Sequence, residues 1–337
     1  MEPSDFTYSC PAPVGAVLVG DYAAYWLDTL PSRLKPRTVK SYRELYRLHL
    51  APSLKGIGLS ELRRAQVKAL LLDKQRQGLS RNTVRLIGSC LSALCSEAID
   101  DGILSVSPAA ALGRWLRGPS EHGTANGQPE NIRPFTTGEV ASILVSARKF
   151  YPRYYPLFLM LARTGCRPGE ALALRFSDVN FTRREILIER ALSAGRIGPT
   201  KTGRSRRVDM SRELAAVLSR LWKQREAHAR RSHAKALPDW LFLSRRGELI
   251  NEDWPRRVFA KVLKRAGLPW HTPYDLRHTF ATLHLAKGHP ITYVSAQLGH
   301  SDPSTTLRWY AHWLPTSDKR FADALDSPPG QSRRMKS

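Results

Sequence analysis

His271–His284 reads HTPYDLRHTFATLH, and its two halves obey different rules. Leu276, Phe280 and Leu283 recur at helical spacing and predict a buried stripe. The front is polar. Thr272 suits an N-cap, Pro273 the first helical position, and Asp275 stands three after Thr272, the spacing of a capping box. Tyr274, Arg277 and His278 fall at i, i+3 and i+4, so they share a second face in the first turns. Free backbone N–H groups and the helix dipole favour an anion there, and the fork of an arginine matches a phosphate. An Arg277 paired with a neighbouring carboxylate reads this segment equally well, so the decision lies outside it.

Three other segments repeat the theme. In ARTGCRPGEALAL, Gly165 ends a helix and Pro168 starts the next, which places Arg167 on a tight turn at a helix N-terminus as a second candidate phosphate donor. Glu170 would steady it or cap the helix. In GPTKTGRSRRV, Lys201 lies in a loop between two strands, with Arg204, Arg206 and Arg207 after it. In SAQLGHSDPSTTLRWYAHW, one helix ends at Gly299, His300 follows at once, and Asp302–Pro303 opens another helix that carries Tyr310 two turns in.

The whole chain is strongly basic. Its 337 residues hold 53 Lys+Arg against 29 Asp+Glu, a net charge of +24 that calls for a polyanionic partner. An anionic membrane would ask for a basic amphipathic helix or a lipidation signal, and the sequence shows no 18-residue apolar run, no signal peptide and no C-terminal lipidation box. Nucleic acid is the expected partner, though composition alone fits a DNA-packing protein as well as an enzyme. Cys10, Cys90, Cys95 and Cys166 form no closely spaced ligand pair and read as core thiols of a reducing cytosol. No compact carboxylate or histidine cluster invites Mg or Zn, so no metal or other cofactor is expected.

Two domains are expected. Residues 1–19 read as a flexible arm and 20–116 as a helical bundle, with helices near Asp21, from Pro36 to a stop at Pro52, up to Gly78, and from a Ser80 cap onward. Lys35, Arg37, Lys40, Arg81 and Arg85 lie near helix starts, where the dipole does not favour cations; contact with the DNA backbone or a solvated polar face would account for them. Residues 117–133 have a linker's composition. Residues 134–326 should form the second domain: a helix capped by Thr136 and Glu139, an apolar central helix, a short helix, strands EILIERA and RSRRVDM, then helices from Ser211 to the end. Residues 327–337 read as a disordered tail. The expected fold is mainly α with a small antiparallel β-sheet.

Taken in order, these segments resemble the tyrosine recombinases, the phage-integrase family, across roughly residues 20–325. Thr164, Gly165, Arg167 and Glu170 match its TGxRxxE motif, Lys201 its hairpin lysine, Leu276–Thr282 its LRHTFAT helix, His300 the histidine after LG, and Tyr310 with His312 its TTLxxYxH box. The resemblance implies a SAM-like core-binding bundle and an α+β catalytic domain. It implies that Tyr310 attacks a DNA phosphodiester to give a 3′-phosphotyrosyl link. Arg167, Arg277 and His300 would stabilise the non-bridging oxygens, and Lys201 would protonate the leaving 5′-oxygen. Arg204 and Arg206 are expected to face DNA.

One position departs from the family. Three before the second arginine, where His or Lys is common, stands Tyr274. A phenol is a weak general base near neutral pH, yet it can donate a hydrogen bond to a phosphate oxygen or an intermediate hydroxyl. His278 reads as a hydrogen-bonding residue inside the fold. The nearest alternatives are a type IB topoisomerase-like enzyme and a catalytically idle DNA-binding relative. The expected setting is a bacterial cytoplasm, with double-stranded DNA, a homotetramer on two DNA sites and an accessory directionality factor as partners, and a phage or mobile element as origin. LPTSDKRFADALDS after Tyr310 has a helical pattern that could dock in cis or on a neighbouring subunit. The short N-terminus suits an enzyme that binds core sites only.

Overall fold

The computed structural model describes residues 17–112, 133–231 and 239–314, with residues 319, 323 and 326 besides. The chain divides into two compact units, Met1–Ala125 and Asn126–Ser337.

The first unit is a helical bundle: α1 (Val19–Thr29), α2 (Pro36–Leu45), α3 (Ala51–Leu54), α4 (Arg64–Arg76) and α5 (Arg81–Asp100). Tyr22, Trp26, Leu50, Leu71, Ile87, Leu91 and Leu94 fill its core. The Ser80 hydroxyl caps α5 by accepting the Thr83 N–H, as read from the sequence. Pro52 does not stop the second helix. Tyr46–Leu50 opens into a π-turn and the chain stays helical through Leu54. Pro52 has no N–H for the carbonyl four residues back, and the wider turn ahead of it accommodates that loss. Residues 1–16 of the expected arm lie outside the described residues, while Val17 and Val19 are tied to the bundle. The Val17 carbonyl accepts the Leu59 N–H at 2.7 Å, and the Val19 N–H reaches the Ile57 carbonyl.

The second unit has α6 (Thr137–Phe150), α7 (Tyr155–Thr164), α8 (Pro168–Leu172), α9 (Arg212–Arg231), α10 (Asp253–Ala266), α11 (Asp275–Ala286), α12 (Ile291–Leu298) and α13 (Pro303–Tyr310). Thr136 and Glu139 close the expected capping box on α6. The α7 helix is buried along almost its whole length and packs against α6, α9 and α11. It is the axle of the unit, because nearly every side chain it carries is apolar.

The β structure is richer than the two strands expected. β1 (Val179–Asn180), β2 (Glu185–Ile188) and β5 (Arg206–Asp209) form one antiparallel sheet, with Ile186 opposite Val208. Between β2 and β5 the chain makes a separate hairpin, β3 (Arg190–Ser193) with β4 (Arg196–Pro199). Nor is everything after Ser211 helical: Trp240 bridges back to Arg175, and Leu243 pairs with Leu249. The linker up to residue 132, the 327–337 tail and nearly all of the segment after Leu314 lie outside the described residues, and with them the cis-or-trans docking.

Candidate active site

The site begins where α7 ends. Gly165 adopts φ +62°, and a Cβ there would sit 2.5 Å from the Phe280 ring on α11. Only glycine permits both the backbone and the close approach. The turn delivers Arg167 to the start of α8, where Glu170 accepts its backbone N–H at 2.9 Å and its Nη1 at 2.8 Å.

Glu170 holds a second arginine. Arg206 on β5 donates Nη1 and Nη2 to the two carboxylate oxygens at 3.1 and 2.7 Å, and its Nε to the Gln297 carbonyl at 2.9 Å. Burial alone would raise the Glu170 pKa, but the hydrogen bond and charge of Arg206, then Arg167, bring it down to about 2. The Arg206 guanidinium, expected at the DNA, is engaged by Glu170 and the Gln297 carbonyl. It braces the carboxylate that positions Arg167 and ties β5 to the end of α12. Gly299 leaves room for it: a Cβ there would meet the Arg206 Cδ at 2.7 Å.

Arg277, on the first turn of α11, is 1% exposed. Nη1 donates to the Gly165 carbonyl at 2.9 Å, and Nη2 to the Leu298 carbonyl at 2.8 Å. Nη2 also lies 3.1 Å from the His300 Nε2. A guanidinium cannot accept, so Nε2 must. Burial, then the charges of Arg277, Arg167 and Arg206, hold His300 at about 4, so it is neutral near pH 7. Its proton then sits on Nδ1, which is 2.7 Å from the Thr306 hydroxyl of α13. Asp275 does act at the helix start: its carboxylate accepts the Thr272 N–H at 2.7 Å, although α11 begins at Asp275 itself.

Tyr310 ends α13 at 2% exposure, among Phe280, Leu285, Val294 and Leu298. Its hydroxyl lies 2.7 Å from the His278 Nδ1. Burial raises the Tyr310 pKa, and the Arg277 and Arg167 charges offset only part of that rise. Tyr274 is 40% exposed, and its ring meets the His278 ring edge-on at 5.2 Å between centroids. Among the described residues its hydroxyl has no hydrogen-bond partner.

The structure thus holds the predicted residues in three hydrogen-bonded groups, Arg167–Glu170–Arg206, Arg277–His300–Thr306 and His278–Tyr310, close enough for the Arg277 and Arg167 charges to act on both His300 and Tyr310. Lys201 stands apart: it is exposed on the turn between β4 and β5, where the Gly203 N–H returns to the Thr200 carbonyl. Arg204 is exposed on the same turn. In the other unit Lys35, Arg37, Lys40, Arg81 and Arg85 are all exposed, and Arg85 donates to the Asn82 side chain. Cys90, Cys95 and Cys166 are free and buried.

Residues 134–316 match the model of the phage integrase family, and residues 18–73 match that of its N-terminal SAM-like domain. The chain belongs to the phage integrase family. Among relatives of this integrase-family chain is a tyrosine recombinase XerC-like protein of Caldanaerobacter subterraneus subsp. tengcongensis, 26% identical over 92% of this chain and 83% of that one. The Tn1549 transposon integrase, solved with circular intermediate DNA, aligns with a TM-score of 0.72 at 22% identity over 92% and 98% of the two chains. Lambda integrase, solved as a tetramer on a Holliday junction, aligns with a TM-score of 0.68 at 18% identity over 90% and 78%. At such identities the two structures carry the fold: a SAM-like bundle followed by the integrase catalytic domain. No described helix of this family member is long and apolar enough to cross a membrane.

Proposed function

We propose that this chain cuts and rejoins double-stranded DNA through a covalent bond between Tyr310 and the 3′-phosphate. As a phage integrase family member it is a site-specific tyrosine recombinase, and mobile-element integrases share its fold. The observation that carries the assignment of roles is the bonded set around Arg277. Its fixed guanidinium adjoins His300, and Tyr310 reaches the same helix one residue further on, through His278.

When Tyr310 attacks, negative charge grows on the two non-bridging oxygens. Arg277 and Arg167 are already oriented toward that role by carbonyls and by Glu170, so little reorganisation accompanies the attack. His300 would join them as a hydrogen-bond donor once a phosphate replaces Arg277 at Nε2 and the imidazole changes tautomer, so that Nε2 carries the proton and Nδ1 accepts from the Thr306 hydroxyl. The bond to O5′ then breaks, and that oxygen needs a proton. Lys201, on its exposed turn, is the group assigned to supply it. Because the phosphodiester energy is kept in the tyrosyl link, the 5′-hydroxyl of a second strand can reverse the step. Recombination between two sites asks for four such tyrosines, hence a homotetramer, with an accessory factor setting direction. Arg204 and the exposed cations of the helical unit would hold the DNA backbone.

A nicked duplex carrying the DNA junctions that flank the gene tests the reading. Wild-type protein should form an SDS-resistant complex, and digestion should leave the nucleotide on the peptide containing Tyr310. Absence of any covalent complex on such substrates would leave a DNA-binding protein without this chemistry. Lys201→Ala should slow cleavage by about 10²-fold or more. A 5′-bridging phosphorothiolate, whose sulfur leaves without a proton, should return the rate to near wild type. Equal slowing on both substrates removes Lys201 as the acid.

A further inference from the structure

Tyr310 must lose a proton as its oxygen attacks, and the position where a stronger base is common in the family holds Tyr274. The geometry points to His278 as the group that takes the Tyr310 proton. This inference rests on the reading of Tyr310 as nucleophile.

Three observations carry it. The His278 Nδ1 lies 2.7 Å from the Tyr310 oxygen, direct proton-transfer distance, with no second residue between them. Tyr310, being buried, keeps its proton in the resting protein and can donate it to an Nδ1 lone pair. Tyr274 is turned differently: its ring packs on the edge of the imidazole, and among the described residues its hydroxyl bonds nothing. The i, i+4 spacing that places Tyr274 and His278 on one helical face therefore yields a stack with His278 inside, against the nucleophile, and Tyr274 outside.

The surroundings keep His278 available as a base. Burial disfavours its imidazolium, Asp275 on the same helix favours it, and Arg277 disfavours it again, with a net lowering. From other elements, Tyr310 of α13 and the neutral His300 after α12 face it, and Arg167 reaches the pair through its charge on Tyr310.

The step balances. The Tyr310 oxygen forms its bond to phosphorus as its proton passes to the His278 Nδ1, giving an imidazolium. The phosphorus–O5′ bond breaks as Lys201 gives its proton to O5′. Ligation runs both transfers backwards: the 5′-hydroxyl proton returns to Lys201, and the imidazolium reprotonates Tyr310.

Single-turnover cleavage of the nicked junction substrate from about pH 5 to 8 tests the assignment. His278 must be neutral to act, so the wild-type rate should rise with pH through a midpoint below 6.5 and then level off. His278→Asn leaves an amide oxygen against the tyrosine hydroxyl but cannot take a proton. It should cleave about 10²–10⁴-fold more slowly and lose that acid limb. Tyr274→Phe should keep the limb. His278→Ala should be accelerated by added imidazole, and His278→Asn should not. A more acidic fluorinated tyrosine at position 310 should recover part of the rate lost in His278→Asn. Wild-type-like cleavage by His278→Asn, or slow cleavage that keeps the limb, overturns the role of His278 while the recombinase reading stands. A wild-type protein that forms no covalent complex at any pH takes both down.

Discussion

Tyr310→Phe is expected to abolish the covalent complex on a nicked junction substrate while DNA binding persists. The substitution removes one oxygen from a side chain that is 2% exposed and packed against Phe280, Val294 and Leu298. The ring keeps its place, so the apolar cluster survives. The loss to folding is the single hydrogen bond to His278, worth about 1 kcal/mol. On the proposed mechanism the loss to chemistry is total, because the covalent link needs an oxygen of the protein that bonds to phosphorus. A gel-shift assay and a denaturing gel on the same samples separate the two effects. Covalent complex at the wild-type level would mean that another residue is the nucleophile.

The second large effect lies in stability. Glu170 is 1% exposed and pairs with two guanidinium groups, of which Arg206 is itself only 11% exposed at its side chain. Glu170→Ala leaves Arg206 inside the fold with the Gln297 carbonyl as its remaining partner. Breaking a buried pair from one side costs about 3–5 kcal/mol. For a unit of this size that should lower the melting temperature by about 10 °C. The same variant frees the Arg167 side chain, so cleavage should fall even at temperatures where the protein is folded. Acid offers an independent check. The folded carboxyl titrates at about 2 instead of its usual 4.5, so its contribution is fully present above about pH 4.5 and is lost as pH falls toward 2. Wild-type and Glu170→Ala stabilities should therefore converge through that window. A constant gap from neutral pH to acid would mean that the carboxylate charge is not what stabilises the pair.

The sequence showed most clearly what is local. The Ser80 cap, the Thr136–Glu139 box, the Gly165 turn and the apolar α7 helix each depend on residues within one or two turns of each other, and each is visible as a spacing. The β3–β4 hairpin was not visible, because Arg196–Pro199 contains Gly198 and Pro199 and is largely exposed, so it shows no alternation of apolar and polar residues. The π-turn at Tyr46–Leu50 escaped for a similar reason: Pro52 reads as a stop unless the turn ahead of it widens.

The site divides the same way. Arg167, Arg277, His300 and Tyr310 each sit in a short motif, but Arg206 sits in RSRR, which looks like a solvated basic run. Its partners Glu170 and Gln297 are 36 and 91 residues away, and no local pattern announces them. His278 was singled out by its spacing from Tyr274. What it touches depends on Tyr310 at the end of α13, 32 residues later.

Arg277 repays one more count. A guanidinium has five N–H bonds, and three of these point at the Gly165 carbonyl, the Leu298 carbonyl and the His300 ring. The other two make no hydrogen bond among the described residues. The residue thus behaves less like a flexible cation than like a fixed group whose fork is set by the fold. Rotamer freedom that a surface arginine would surrender on meeting an anion has already been surrendered in folding. On the proposed role of Arg277, affinity for a phosphate would be set by the alignment of α7, α11 and α12. Substitutions that shift those helices by a fraction of an ångström should weaken it without touching the arginine.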